Sequence, residues 1–260
     1  MSTDDFLPPP CDVLGVPIHP LTMEQVLDVV DQAIRSHSRL RIGVVNAAKI
    51  VNMRRDQVLR GDVLSSDLIL ADGMAVVWAA RLLGYHLPER VAGIDLMLGM
   101  FKRGNQRRYR VYCLGATDEV LGKVMARIRV EYPHVHVAGS QNGYFSSADE
   151  GRIATDIHAA HPDILFVAMT SPKKEQFLAR WTENMGVPVC HGVGGSFDVL
   201  AGKVDRAPEV WQRLGLEWLY RVKQEPRRLW KRYLVTNTLF CSLVLREFIR
   251  HMPNHVARLR

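Results

Sequence analysis

Polar residues and glycines follow several apolar runs of the chain, and their types fit chemistry on a phosphate-bearing substrate. In L-I-L-A-D-G (68–73), the carboxylate of Asp72 comes directly after a run that predicts a buried strand. Asn46 follows a second such run, and Gly194 and Gly195 follow a third. Asp72 could act as a general base, and the glycines would let backbone N–H groups approach a phosphate. An aspartate in this position can equally cap the helix predicted after it, so both roles stay open at this point.

A scaffold that brings such residues together is predicted by the alternation of apolar runs with amphipathic segments. Strand-like runs occur at about 41–46, 68–71, 110–115, 134–139, 163–168 and 187–191, with helical patterns between them. This order is typical of an α/β fold: a Rossmann-like, largely parallel sheet with helices on both faces. In such a sheet the carboxyl ends of the strands form the ligand crevice, where Asp72 would lie.

The charge of the chain divides it into a nearly neutral body and a basic tail. From Arg213 to the end there are eleven Lys and Arg against three acids, whereas the preceding residues nearly balance. We expect a loosely ordered or disordered N-terminus (1–11), an α/β catalytic core (12–206) and a helical basic appendage (207–260) for donor closure and membrane docking. A basic excess of this size favours an anionic partner: nucleic acid, a phosphorylated ligand or a membrane surface.

The uncharged segment 233–245 within the tail is too short to span a bilayer. With its basic and aromatic neighbours it could lie in the membrane interface, or it could pack on the α/β body. Both arrangements stay open, and they can hold together.

Metal and cofactor sites have little support in the sequence. The four cysteines, Cys11, Cys113, Cys190 and Cys241, form no C-x-x-C pair, which argues against a zinc site and fits reduced thiols. No D-x-D sequence, of the kind that holds a divalent cation in many nucleotide-sugar enzymes, is present. G-V-G-G-S (192–196) lacks the third glycine of the dinucleotide fingerprint. We therefore expect neither a metal nor a cofactor.

Several segments, in order along the chain, together carry a resemblance to one family. They are N-A-A-K-I-V (46–51), L-A-D-G (70–73), E-R-V-A-G-I-D-L (89–96), S-P-K-K-E (171–175), G-V-G-G-S-F-D (192–198), R-A-P (206–208), G-L-E-W-L-Y-R (215–221) and E-P-R-R (225–228). From about residue 12 to 235 the chain resembles the WecG/TagA/CpsF glycosyltransferases.

The resemblance implies an enzyme of bacterial surface-polysaccharide or exopolysaccharide assembly. Members transfer a hexose from a UDP-sugar to a sugar linked through pyrophosphate to a polyprenyl lipid, with inversion and without a metal. The implied partners are a UDP-sugar, such as UDP-glucose or UDP-N-acetylmannosamine, the lipid-linked acceptor and the membrane surface, but no nucleic acid. A β-1,4 linkage and a homo-oligomer stay open. The implied location is the cytoplasm, peripherally attached to the inner face of the cell membrane.

The family pattern also implies roles for individual residues. Asp72 would be the general base. The implied substrate-binding residues are Asn46, Arg90, Lys174, Gly194, Gly195, Arg221, Arg228 and Lys231. Asn46 and Arg90 would line the acceptor and donor pocket. The cations of the appendage would neutralise the UDP leaving group, since arginine matches phosphate oxygens with a bidentate fork.

Two positions depart from the family pattern. Members often have glutamine where this chain has Lys174, and some have threonine where it has Val44. Both positions are expected at the pocket, so they bear on donor and acceptor identity. Two alternatives remain at this point: a nucleotide-cofactor oxidoreductase, which the incomplete glycine fingerprint disfavours, and a non-catalytic module that binds membrane through its tail.

Overall fold

A computed structural model describes residues 7–257, and for Arg228 and residues 251–257 it describes the backbone alone. The expectations for residues 1–6 and 258–260 and for the Arg228 side chain therefore lie outside the described residues. The described chain forms a six-stranded parallel sheet flanked by helices. A small antiparallel hairpin precedes the sheet in the chain, and a helical segment follows it at the C-terminal end. The predicted α/β class is thereby confirmed.

The strands are short and mostly buried on both faces, as the continuous apolar runs predict. They are β1 (Cys11–Asp12), β2 (Pro17–Ile18), β3 (Leu40–Val45), β4 (Leu68–Ala71), β5 (Arg110–Gly115), β6 (His136–Gln141), β7 (Ile164–Ala168) and β8 (Val189–Gly192). β1 and β2 pair as the hairpin, and the others form a sheet in the order β4-β3-β8-β7-β5-β6. The carboxyl ends of β3, β4 and β8 are thus neighbours at one edge.

The helices alternate with the strands through the body and then follow one another at the end of the chain. They are α1 (Met23–Ser36), α2 (Ala47–Arg55), α3 (Gln57–Leu64), α4 (Met74–Leu82), α5 (Gly93–Arg107), α6 (Asp118–Glu131), α7 (Glu150–Ala159), α8 (Lys173–Met185), α9 (Ser196–Leu200), α10 (Glu209–Arg213), α11 (Glu217–Gln224) and α12 (Pro226–Ala257). Thr22 and Gln25 form a capping box at the start of α1, as S/T-x-x-E/Q patterns predict.

Two layers of helices cover the sheet. One apolar cluster joins the sheet to α1, α5, α6 and α9. On the opposite face, the β1–β2 hairpin, α2, α3, α4 and α12 pack over β3 and β4, while α7 and α8 pack over β5, β7 and β8. Helices therefore lie on both faces, as predicted from the alternation of strands and helices.

The helix α12 packs on the α/β body through the second half of its described length. Phe240 and Val244 are buried in the cluster beneath α2 and the hairpin, and Leu239, Leu243 and Phe248 pack against it. Of the two arrangements that the sequence leaves open for this segment, the structure shows packing on the body. Over the described residues, no helix is both long and apolar enough to cross a membrane.

Two helices were not foreseen from the sequence, and one strand lies later than predicted. α3 has only two buried residues, Leu59 and Val63, and therefore a weak periodic signal. α9 is a single turn after a glycine-rich segment, which indicates a loop more strongly than a helix. β6 was predicted at 134–139 but extends from His136 to Gln141, because this edge strand is only half-buried and its apolar pattern is weak.

Candidate active site

The carboxylate of Asp72 is fixed by groups from two other elements. Its backbone N–H donates to Val45 O at 2.8 Å, which extends the pairing of β3 and β4 by one residue. Its Oδ1 accepts a hydrogen bond from the backbone N–H of Gly93 at 2.9 Å. Its Oδ2 accepts a longer one from Asn46 Nδ2 at 3.4 Å. Asp72 is only partly buried, so a fixed carboxylate remains accessible at the carboxyl edge of the sheet.

The alternative that Asp72 is the N-cap of the following helix is wrong. The N-cap of α4 is Gly73, and no side chain caps that helix end. The carboxylate instead contacts Gly93, the first residue of α5. The carboxylate of Asp72 is thus bonded to a helix N-terminus, where the backbone carries partial positive charge.

Asn46 serves two partners at the end of β3. Its Oδ1 caps α2 by accepting from Lys49 N at 3.0 Å, and its Nδ2 points to Asp72. A Cβ at position 73 would lie 3.5 Å from Asn46 Cβ. The predicted base and the predicted pocket residue are thus brought together by neighbouring strands.

A buried histidine lies beneath Asp72. His191, on β8, is fully buried, and its Nε2 lies 3.1 Å from Gly93 O. Burial lowers the pKa of His191 to about 4, so the ring is neutral at pH 7 and donates its Nε2–H to that carbonyl. Asp72 and His191 therefore bind the two sides of the same glycine, which fixes the start of α5 against the sheet.

A buried ionic group is formed by Lys49 of the N-A-A-K segment and by Lys174 and Glu175 of the S-P-K-K-E segment. Glu175 Oε1 accepts from Lys49 Nζ at 2.8 Å and lies 3.1 Å from Lys174 Nζ. Lys49 also donates to Val44 O at 2.8 Å. The Lys174 stem packs on Gly192, where a Cβ would lie 2.7 Å from Lys174 Cδ. A side chain at position 192 would therefore displace the stem of Lys174.

The pKa values in this group shift with burial and with charge. The pKa of Lys174 is lowered to about 8, chiefly by burial and then by Lys49, while Glu175 and Asp72 act to raise it. Burial alone would raise the pKa of Glu175, but Lys49 and Lys174 outweigh that effect and lower it to about 2. One glutamate thus faces two lysines, and the group carries a net positive charge near Asp72.

Arg90 joins the α/β body to the appendage. Its Nη1 donates to Glu217 Oε2, on α11, at 2.8 Å, and its Nη2 lies 3.6 Å from Asp95 Oδ2. Arg221 Nη2 lies 3.8 Å from the other oxygen of Glu217. Two of the predicted substrate-binding cations, Arg90 and Arg221, therefore share one carboxylate.

The remaining predicted residues lie in open positions. Gly194 has φ +54°, in the region that favours glycine, and a Cβ at Gly194 or Gly195 would meet open space. This turn follows β8, next to the carboxyl end of β3. Lys231 is exposed on α12, in the segment that precedes the buried part of the helix. The Arg228 side chain lies outside the described residues.

Four residues of this region were not singled out from the sequence: Lys49, Glu175, His191 and Glu217. Lys49, Glu175 and Glu217 stand inside the motif segments, and this membership was the available signal. His191 ends an apolar run and gave no signal beyond that. Within residues 7–257, no group of three or more His, Cys, Asp or Glu side chains is placed to hold a metal ion.

The parallel α/β sheet carries a fixed carboxylate at its carboxyl edge, with two arginines that share the carboxylate of Glu217. This arrangement is suited to group transfer from an anionic donor. The model of the glycosyl transferase WecG/TagA/CpsF family matches residues 11–254. The chain belongs to this family and is a glycosyltransferase, which excludes the oxidoreductase and non-catalytic alternatives as its principal function.

Two curated relatives carry the same name, N-acetylglucosaminyldiphosphoundecaprenol N-acetyl-beta-D-mannosaminyltransferase. The one from Bacillus spizizenii is 34% identical over 196 residues, which cover 75% of each chain. The one from Bacillus subtilis is 40% identical over 174 residues, which cover 66% of this chain and 67% of the relative.

Proposed function

We propose that the protein is an inverting hexosyltransferase that moves a neutral hexose from a UDP-sugar to a sugar carried on a polyprenyl diphosphate. The observation that carries this proposal is the Asp72 carboxylate, held at the carboxyl edge of the sheet by Gly93 N–H and Asn46. The names of the two relatives describe transfer of a β-linked N-acetylmannosaminyl group to such a lipid-linked acceptor. UDP-N-acetylmannosamine is therefore the first donor to test, with UDP-glucose as the second.

The proposed step is a single displacement. Asp72 takes the proton of the acceptor hydroxyl while that oxygen forms a bond to C1 of the hexose. The bond between C1 and the diphosphate oxygen breaks, and its electron pair leaves with UDP. Attack from the face opposite the leaving group converts an α-linked donor into a β-linked product. A carboxylate at a rigid strand end suits this role because its orientation is fixed before substrate binds.

The leaving group requires positive charge because the diphosphate gains a negative charge as the bond breaks. Arg90 and Arg221 already lie around one carboxylate, and Arg228 and Lys231 follow on the next helix. Preorganised cations lower such a barrier most where water is excluded. We propose that residues 207–260 supply Arg221, Arg228 and Lys231 to a catalytic core formed by residues 12–206, which itself supplies Arg90, with no metal in the reaction.

The rest of the proposed pocket is formed by Lys174, Asn46 and the glycine turn. Asn46 would contact the acceptor beside Asp72, and Gly194 and Gly195 would let backbone N–H groups approach the donor. Lys174 would act on the sugar or diphosphate through its charge, since its ammonium is bonded to Glu175.

The exposed half of the appendage supports a membrane-facing role at the inner face of the cell membrane. Trp230 and Leu234 are more than half exposed and lie among Arg227, Lys231 and Arg232 on α12. Indole rings and arginine or lysine side chains favour the membrane interface, and each basic residue near an anionic surface contributes about 1 kcal/mol. Docking would bring the site to its lipid-linked acceptor.

The experiment is UDP release measured with a synthetic lipid-linked N-acetylglucosaminyl diphosphate acceptor. UDP-N-acetylmannosamine, UDP-glucose and UDP-N-acetylmannosaminuronic acid are compared, each with and without EDTA. We expect acceptor-dependent release with one neutral donor, unchanged by EDTA, and a β-linked product by NMR. Preference for the uronic acid, loss of activity in EDTA, or an α-linked product would each contradict the corresponding part of the proposal.

A further inference from the structure

Glu217 occupies an unusual position between the body and the appendage. One of its oxygens accepts from Arg90 Nη1 at 2.8 Å, and the other lies 3.8 Å from Arg221 Nη2. Its side chain is four-fifths shielded from solvent, and that of Arg90 is shielded further. The carboxylate therefore bridges a guanidinium of the body and a guanidinium of α11.

The helix that carries Glu217 has little apolar anchorage of its own. None of the residues of α11 is buried. Trp218 contacts the ring of Tyr233 on α12, and Tyr220 contacts the ring of Trp211 on α10, with ring centroids 5.7 Å apart in both pairs. These contacts hold α11 to its neighbours in the appendage. The ion pair of Glu217 with Arg90 fixes the helix to the α/β body.

The bridge also brings two like charges to one place. Guanidinium groups repel each other, and a carboxylate between them offsets that repulsion. A guanidinium has five N–H donors, and Glu217 engages one nitrogen of each arginine. Donors therefore remain on both groups for a second anion. Asp95 also lies 3.6 Å from Arg90 Nη2, so the orientation of that guanidinium is fixed from two sides.

We propose that Glu217 is a positioning residue of the transfer reaction. It holds Arg90 and Arg221 together so that both bind the diphosphate of the donor. This inference rests on the proposed function, because it requires a nucleoside diphosphate sugar as substrate. Glu217 acts through the two arginines and does not itself touch the donor. Its replacement should therefore weaken binding of the diphosphate more than it slows the chemical step.

The test is Glu217→Gln, with UDP affinity measured by calorimetry and with the KM for the donor and kcat measured separately. A charge-assisted hydrogen bond is stronger than a neutral one, and partial solvent access reduces this advantage. We expect about tenfold weaker UDP binding and a similar rise in KM, with kcat changed less than threefold. Unchanged UDP affinity would refute the proposal, and tighter UDP binding would show that Glu217 competes with the diphosphate instead.

A matched control exists on the neighbouring helix. Glu209 pairs with Arg213 at 2.7 Å, four residues on, as Glu217 faces Arg221, but both side chains are about three-quarters exposed. Glu209→Gln should leave UDP affinity and KM at wild-type values. Glu217→Asp, which keeps the charge on a shorter side chain, should recover part of the lost affinity. Equal affinity in Glu217→Asp and Glu217→Gln would contradict a role for the charge.

A double-mutant cycle distinguishes positioning from a general structural effect. Glu217→Gln and Arg90→Ala are measured alone and together. If Glu217 acts through Arg90, the second change adds little to the first, whereas full additivity of their effects on UDP affinity would overturn the proposal. A wild-type protein that binds no UDP would refute the proposed function itself, and so the two failures are distinguishable.

Discussion

Asp72 shows how one residue obtains a chemical role from long-range contacts. Its carboxylate is bonded to the first amide of α5 and to the side chain that caps α2. These partners stand 21 and 26 residues away along the chain. The carboxylate therefore cannot rotate freely, and the two bonds leave lone pairs for the proton of an acceptor hydroxyl.

We predict that Asp72→Asn lowers the rate of UDP release at least about a hundredfold, the usual range for loss of a general base. The fold should persist because the amide oxygen of asparagine can still accept from Gly93 N–H. Affinity for UDP should be nearly unchanged. The measurements are acceptor-dependent UDP release, calorimetry with UDP and thermal unfolding.

A suitable control for this variant is Asp118→Asn. Asp118 also follows a strand end, at the start of α6, but it is exposed, and its carboxylate accepts a hydrogen bond from Asn142 Nδ2 at 3.0 Å. Near-normal turnover in Asp72→Asn would remove the base from the mechanism, whereas an equal loss in both variants would indicate a general effect of the substitution.

Lys174 leads to a prediction on pH. Burial lowers its pKa to about 8, so its ammonium is charged below that pH and neutral above it. If the charge assists donor binding, kcat/KM falls as pH rises through about 8. Lys174→Gln, which introduces the residue common in the family, should remove this fall. The measurement is the pH profile of kcat/KM for both proteins from pH 6 to pH 10.

The contribution of Lys174 to the free energy of unfolding should rise with pH, in the direction opposite to kcat/KM. Its folded pKa lies below the ordinary 10.5, so between about pH 8 and 10.5 the unfolded chain binds more protons. The contribution of Lys174 to the free energy of unfolding therefore rises with pH across this window.

The control for the pH profile of kcat/KM is Lys173→Gln. Lys173 is the neighbouring lysine and bonds to Gly143 O, so its replacement should keep the wild-type pH profile of kcat/KM. A wild-type pH profile of kcat/KM in Lys174→Gln would exclude a role for the charge of Lys174.

At the residue scale, the sequence predicted where Asp72 and Asn46 lie but not what they contact. Their positions follow from the ends of two apolar runs, which is local information. The contact of Asp72 with Gly93 depends on how α5 returns to the sheet, and no local pattern encodes that path. For the same reason, the motif containing Glu217 indicated a family position without indicating its bridge to Arg90.

At the scale of elements, α12 has two different halves. Its first half carries most of the basic residues and exposes Trp230 and Leu234, whereas Phe240 and Val244 in the second half are buried against α2 and the hairpin. The same helix therefore carries cations toward the proposed donor site and supplies part of the core. Removal of the whole helix would expose that core, so point substitutions separate the two roles more clearly.

We predict that Phe240→Ala lowers the free energy of unfolding by about 3 kcal/mol, as expected for a large aromatic side chain removed from a core. Leu245→Ala, at a side chain that is 57% exposed on the same helix, should change it by less than about 0.5 kcal/mol. Urea unfolding followed by far-UV circular dichroism measures both. Equal effects would contradict the packing of this helix on the body.

The prediction of elements from the sequence succeeded where periodicity was strong. α1 and α8 follow the helical spacing of their apolar residues, and β4 and β7 follow continuous apolar runs. α3 and α9 were missed because they bury few side chains. Whether the uncharged segment of the tail packs on the body was left open, since its apolar face fits a protein core and a membrane interface equally.

For the molecule as a whole, the uneven charge predicts binding to anionic membranes. We expect the protein to sediment with vesicles of anionic phospholipid and to be released by salt. The triple change Lys223→Gln, Arg227→Gln and Arg232→Gln, at exposed side chains, should weaken this binding at least about tenfold, since each cation contributes about 1 kcal/mol.

The control for the vesicle experiment removes the same charge from the opposite end of the molecule. Arg129, Arg152 and Lys123 lie on α6 and α7, on exposed surfaces of the body. Their change to glutamine should leave vesicle binding unaltered. An equal loss in both triple variants would show that net charge, and not the appendage, determines the attraction to the membrane.

The cluster that contains Phe240 has a consequence for the order of folding. It unites Val13 and Ile18 of the first hairpin with Val244 of the last helix, across almost the whole chain. Contacts so distant in sequence close slowly, because the entropy of the intervening loop is lost before they form. A ribosome must therefore release the chain through Val244 before this cluster is complete, and until then the hairpin and α2 present an uncovered apolar surface. Nascent chains of this protein should thus depend on chaperones until α12 has emerged from the ribosome.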